Sequence, residues 1–288
     1  MSEIKYEYEQ ILLTGDESKF VNIPLSLILN TDMDEKRIGV FAYLKMCSGL
    51  DDVSRFIVSN MVEWCGYKSD IRRVGGTNDR FLDIVDEFAA AGYLVRLTDK
   101  SRTKYMEYKI NEKYCSLECA EGYATIYLDE LKKILTYKRR DANDVYIKNT
   151  VVLLVFAYLR YKIPRRPNKL NIEERSLDKI KDRKQRLPEA YDCHIMDIAN
   201  ELCLSDRAVS VAINILETEL GLIVRGVAYK IKDKNGEYRT LNSIFVNAYK
   251  REGSYLLVSG EIYSMSEIEC KAEKLKKFYG NYIINKDK

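Results

Sequence analysis

The six residues Val40-Phe41-Ala42-Tyr43-Leu44-Lys45 recur as Val155-Phe156-Ala157-Tyr158-Leu159-Arg160, identical at five of six positions and offset by 115. Similarity at a fixed offset means that one supersecondary plan is used twice. The flanks extend the match. Residues 20–25 with Leu27, Ile28 and Leu29 are similar to residues 123–128 with Leu131, Ile134 and Leu135, so each copy starts with a short extended segment and an apolar turn. Downstream, each copy has a short helix candidate (57–65, then 194–202), a polar turn and a longer amphipathic helix candidate.

In the second copy Ile195, Ile198, Ala199 and Leu202 follow i, i+3, i+4, i+7 spacing and build one apolar face. Ser205 is placed to cap a new helix, along which Ala208, Val209, Ala212, Ile213, Leu216 and Leu220 keep helical spacing until Gly221. Two helices joined by Cys203-Leu204-Ser205 predict a helix-turn-helix. Beyond it, Asn235-Gly236 inside alternating apolar residues predicts a hairpin with its tip at residues 233–237. The first copy reads alike: Ile57, Met61, Val62 and Cys65 face one way on its second helix, and Phe81, Ile84, Val85, Phe88 and Ala89 on its third, which Gly92 ends. A long loop from Gly66 to Thr77 separates those helices, and residues 93–97 and 104–110 are the wing strands.

The 288 residues suffice for two ordinary domains, each with a core. The net charge is only +3, yet residues 162–186 hold ten basic and four acidic side chains. That basic insertion, broken from the preceding helix by Pro164-Arg165-Arg166-Pro167, suggests contact with a polyanion. Within it, Asn171 and Glu174 have the spacing of a capped helix restart, and Ser266 with Glu269 repeat that spacing near the C-terminus. The longest apolar run, 150–159, is half the roughly 20 residues a membrane helix needs. Residues 1–10 lack the apolar segment of a secretory signal, so a cytoplasmic location is expected. Seven scattered cysteines suit reduced, buried thiols.

Most catalytic chemistry lacks its residues. His194 is the single histidine, which excludes multi-histidine metal sites, and its place at a helix start suits a structural role. Cys115-x3-Cys119 has no second ligand pair, and Cys193 and Cys203 lack paired zinc spacing. No Gly-rich phosphate loop of nucleotide-binding type occurs. No catalytic residue, metal or cofactor is expected.

Binding chemistry fits better. In a helix-turn-helix the early residues of the second helix face base edges, while basic groups on the wing and adjacent turns hold phosphates. In the second copy the readers are Ser205, Arg207, Ser210 and Asn214, with Arg207 suited to guanine and Asn214 to adenine, and the wing adds Lys230, Lys232, Lys234 and Arg239. In the first copy they are Thr77, Asn78 and Arg80, supported by Lys68, Arg72 and Arg73 in the loop and by Lys100, Arg102 and Lys104 on the wing. The insertion contributes Arg165, Arg166, Lys181, Arg183 and Lys184.

These features resemble the replication initiators of plasmids and related mobile elements, in which two winged-helix domains lie in tandem, and the phage replisome-organiser proteins. The resemblance rests on Phe41-Ala42-Tyr43-Leu44, on residues 61–67 with Asn78-Asp79-Arg80-Phe81, on Gly92-Tyr93-Leu94 and on the second copy, and spans roughly residues 18–250. The expected fold is mainly α with small β wings, an α+β chain of two tandem winged-helix domains. These are residues 1–113, then 114–252 carrying the 162–186 insertion, followed by a helical tail at 253–288. The resemblance implies origin DNA binding and recruitment of host replication proteins. The expected partner is double-stranded DNA, with a second copy of the chain a further candidate and no membrane. A transcriptional regulator, or an adaptor that contacts proteins through the same scaffold, is the alternative.

Overall fold

The computed structural model describes residues 20–29, 34–49, 51–138, 147–163, 190–226, 230–232, 238–240, 243–247 and 283–284. They form helices interleaved with small antiparallel sheets, an α+β arrangement. Contacts gather the described residues of Asp16–Tyr161 and Ala199–Ile215 into one compact unit, and those of Lys162–Ile198 and Leu216–Lys288 into a second.

The first unit runs β1 (Phe20–Pro24), α1 (Leu25–Leu29), α2 (Lys36–Met46), β2 (Val53–Phe56), α3 (Val58–Trp64), α4 (Thr77–Ala90), β3 (Leu94–Arg96), β4 (Met106–Ile110), α5 (Glu112–Glu118), β5 (Tyr123–Tyr127), α6 (Leu128–Leu135) and α7 (Asn149–Lys162). The repeated hexapeptide lies on α2 and α7. The first five motif residues are buried in both; Lys45 is half-buried, whereas α7 is buried at every position from Asn149 to Arg160. A helix apolar all round, as α7 is from Val151 to Leu159, must be surrounded by protein. The surroundings still differ. Phe41 packs edge-on against Phe88 and Tyr93, whereas Phe156 lies under the Arg160 guanidinium at 4.8 Å. Arg160 is itself buried and ion-paired to Glu130 at 2.8 Å, and Glu130 also accepts from the Tyr127 amide.

The two copies share this unit. β1 pairs antiparallel with β5, from Phe20 opposite Tyr127 to Pro24 opposite Tyr123. The boundary read at 113/114 falls inside α5, and the β1–β5 ladder crosses it. α7 meets α2 where Gly39 has no side chain: a Cβ there would stand 2.5 Å from Thr150 Cγ2. One buried amide joins the copies further, because the two N–H groups of Asn149 Nδ2 are shared among the carbonyls of Trp64, Leu135 and Tyr137, 3.0–3.2 Å away, at and just past the C-terminal ends of α3 and α6. Those are carbonyls that a helix end leaves without an internal partner.

β2, β4 and β3 form a sheet in that order, with Ser54 opposite Tyr108 and Leu94 opposite Ile110. In the second copy β6 (Ala190–Cys193) is followed by α8 (Ile195–Glu201), α9 (Asp206–Asn214) and a π-helical turn, Ile215–Glu219. The second unit holds β6 with β7 (Ile223–Gly226), β8 (Lys230–Lys232), β9 (Tyr238–Thr240), β10 (Ser243–Asn247) and β11 (Ile283–Ile284). Its first sheet has the order β6-β10-β7, the same leading–last–middle order as β2-β4-β3. The leading strands β2 and β6 are not among the elements read from the sequence. The predicted hairpin is present as β8 and β9, with Lys232 opposite Tyr238 bracketing residues 233–237. The helix restart at 171–174 and the basic charge of 164–186 lie outside the described residues, as does the tail except Ile283–Ile284.

Candidate nucleic-acid interface

Ser205 caps α9 as its position predicts, its Oγ accepting from the Ala208 amide at 3.2 Å. The turn before it passes through Cys203 at φ 52°, an exposed residue in the left-handed region. Val209, Ala212 and Ile213 are the buried face of α9. That leaves Arg207 and Asn214 exposed and Ser210 half-buried, all on the helix itself. Lys230, Lys232 and Arg239 lie in strands β8 and β9, while Lys234 lies outside the described residues, as do Arg165, Arg166, Lys181, Arg183 and Lys184. His194 precedes α8, and its backbone N–H donates to Asp197 Oδ2.

In the first copy the loop between α3 and α4 starts with a tight stop. Gly66, at φ +82°, allows the Tyr67 amide to donate back to the Val62 carbonyl, and a Cβ there would come within 2.8 Å of the Asn149 amide nitrogen. Tyr67 then anchors the loop root. Its hydroxyl donates to Glu35 Oε1 at 2.6 Å and meets Thr150 Oγ1 at 3.3 Å, and the Lys148 and Lys36 ammonium groups lie 4.5 and 5.3 Å from its ring centre. Burial pushes the Tyr67 hydroxyl far above the usual phenol range, with Glu35 adding to the effect.

The structure corrects one reading and gives two others partners within the chain. Asn78 does not face outward: it is buried at the start of α4, where its Oδ1 accepts from Ser69 Oγ and the Asp70 amide at 3.1 and 2.9 Å. It fixes the loop. Lys100 and Arg102 on the wing do not stand free either, because α4 carries an acidic row. Arg102 grips Asp79 at 2.5 Å, Lys100 pairs with Asp83 and Asp86 at 3.2 and 2.7 Å, and Arg96 also joins Asp86. These ion pairs link the β3–β4 hairpin to α4. Asp79 also accepts from the Gly75 amide at 2.6 Å, and that bond first, then Arg102, holds its carboxyl below the usual range.

Lys68, Arg72, Arg73, Arg80 and Lys104 are exposed, and no ion pair joins them to any of the described residues. Thr77 is half-buried in the first turn of α4. Four of these cations, with Thr77, cluster in sequence around the loop and the first turn of α4. What sequence reading missed is the ion pairing of the acidic row, visible as carboxylates at 79, 83, 86 and 87 of which only Asp83 reads as a candidate contact, and two aliphatic side chains in the loop, Ile71 and Val74.

A cleft elsewhere in the first unit is lined by Lys45, Glu112, Cys115 and Cys119 among others. Lys45 and Glu112 are ion-paired, and burial pushes the Cys115 thiol up to about 11 and Cys119 upward too, so neither is a thiolate at neutral pH. Among the described residues no cluster of three or more His, Cys, Asp or Glu side chains is placed to hold a metal ion. None of their helices is long and apolar enough to cross a membrane. No family model matches the chain, and no curated protein matches it in sequence.

Proposed function

We propose that the chain binds double-stranded DNA sequence-specifically through two winged-helix units and initiates replication of a plasmid, phage or other mobile element. The observation that carries the DNA-binding reading is the repeated plan: strand, helix, turn or loop, helix, then two strands that complete the leading strand's sheet in one order in both copies, with β8 and β9 added between them in the second. That plan sets an exposed arginine in the first turn of the third helix each time, Arg80 on α4 and Arg207 on α9. Both helices belong largely to the same compact unit, which favours their acting together on one DNA molecule. Arg207 and Arg80 are assigned to base edges, and Lys68, Arg72, Arg73 and Lys104 to phosphates. The replication role rests on the resemblance to plasmid initiators alone.

The test is selection of bound fragments from the genome of the element encoding the chain, followed by replication of a reporter plasmid carrying them. Retained fragments with a log–log salt slope steeper than about −3, at roughly 0.9 per neutralised phosphate, support DNA binding. Replication that depends on the chain supports the initiator role, whereas retained fragments that only change transcription replace it with a regulator. Failure to retain any duplex at low salt overturns the whole reading.

A further inference from the structure

The α3–α4 loop presents two exposed aliphatic side chains in a polar, glycine-bearing segment, one of them the most exposed large apolar group among the described residues. Val74 is 79% exposed and Ile71 43%, on either side of the exposed Arg72 and Arg73. The loop that offers them is held in shape by its own bonds. Asp70 Oδ1 accepts from the Arg73 amide, the Gly76 amide donates to the Arg73 carbonyl, Asp79 accepts from the Gly75 amide, and buried Asn78 accepts from Ser69 and Asp70. Gly75 supplies the left-handed turn, φ +71°, between Val74 and α4.

The charge arrangement selects the occupant. Both acids of the segment are turned inward, Asp70 onto the Arg73 amide and Asp79 onto Gly75 and Arg102. Lys68, Arg72, Arg73 and Arg80 face out with no ion pair among the described residues. An aliphatic pair ringed by unspent cations fits a surface that is anionic at its edges and apolar at its centre. The major groove of duplex DNA has that character wherever thymine methyl groups project between the phosphate rails. A loop directly preceding a recognition helix arrives at that groove.

We infer that Val74, with Ile71 beside it, is a specificity residue that reads thymine by packing on its C5-methyl group, while Arg72 and Arg73 hold the flanking phosphates. This rests on the DNA-binding reading above. It extends sequence reading from the helix to the loop, and it makes recognition in the first copy partly apolar.

Replacing thymine by uracil deletes only that methyl group, so the test is a set of single dT-to-dU substitutions across a fragment retained in the selection, titrated with full-length chain. At one or two positions the uracil duplex should bind about fourfold more weakly, the value of one buried methyl group. Val74→Ala should bind the thymine duplex more weakly and lose most of that discrimination, with its salt slope unchanged, and Ile71→Ala should reduce it less. Both sites are solvent-facing, and thermal unfolding of each variant checks that the fold is kept. Equal affinity for thymine and uracil at every position, or discrimination that persists in Val74→Ala, overturns the inference while leaving DNA binding intact. A chain that retains no duplex overturns both.

Discussion

Asn78 and Arg80 are two residues apart in the first turn of α4 and have opposite surroundings, one buried and one exposed. The amide of Asn78 is buried and accepts two hydrogen bonds from the loop, so Asn78→Ala strands the Ser69 hydroxyl and the Asp70 amide without their acceptor. Both donors are half-buried, so losing these two bonds costs about 0.5–1.5 kcal/mol each, and urea unfolding should show a midpoint lowered accordingly. Arg80 is exposed without an ion pair among the described residues, so Arg80→Ala should leave the unfolding free energy within about 0.5 kcal/mol of the parent's while, on the proposed function, weakening duplex binding. Equal losses of stability in the two variants would show that the loop does not depend on Asn78. Neither role is distinguishable in the string Gly76-Thr77-Asn78-Asp79-Arg80. An Asn near a helix start ordinarily reads as a surface polar group, and its partners lie eight and nine residues earlier.

Among elements, the contact between α4 and the β3–β4 hairpin decides how much unpaired positive charge the first copy offers. The acids at 79, 83 and 86 recur along one side of the helix and collect Arg96, Lys100 and Arg102 from the hairpin. Asp79 is the member whose titration reports the arrangement. Its folded carboxyl ionises at lower pH than an unfolded aspartate, so its contribution is fully present above about pH 4 and is lost as pH falls through its depressed value. A carboxyl NMR titration should find Asp79 ionised throughout the neutral range. In Arg102→Gln its value should return only part of the way toward the ordinary one, because the Gly75 amide is the larger influence. Complete return would give Arg102 the leading part. Helices, hairpin and the Ser205 cap are legible in sequence because each has a local cause: a 3.6-residue apolar period, an Asn-Gly turn, a hydroxyl three residues ahead of an amide. The strands β2 and β6 have four residues each and gain their identity from partners about fifty residues further along, so no local pattern marks them. The acids of α4 are visible as letters, but which cations they take depends on how the hairpin folds back.

At the scale of the molecule, the repeat does not divide the chain where the sequence suggests. A helix cut at 113/114, a sheet made of β1 and β5, and an asparagine that serves α3 and α6 at once all tie the first copy to the start of the second. Fragments 1–113 and 114–288 should therefore each show little cooperative unfolding by circular dichroism. The intact chain should unfold the described elements of the first unit in one transition. Two fragments that each fold with their own sharp transition would show that the copies are autonomous. The β1–β5 ladder also bears on the order of events during synthesis. At about 5–20 residues per second, the partner of β1 is made some five to twenty seconds after β1 itself. For that interval Val21 and Ile23, both buried in the finished protein, have no strand to pair with, so the amino-terminal copy waits for its successor instead of folding behind the ribosome on its own.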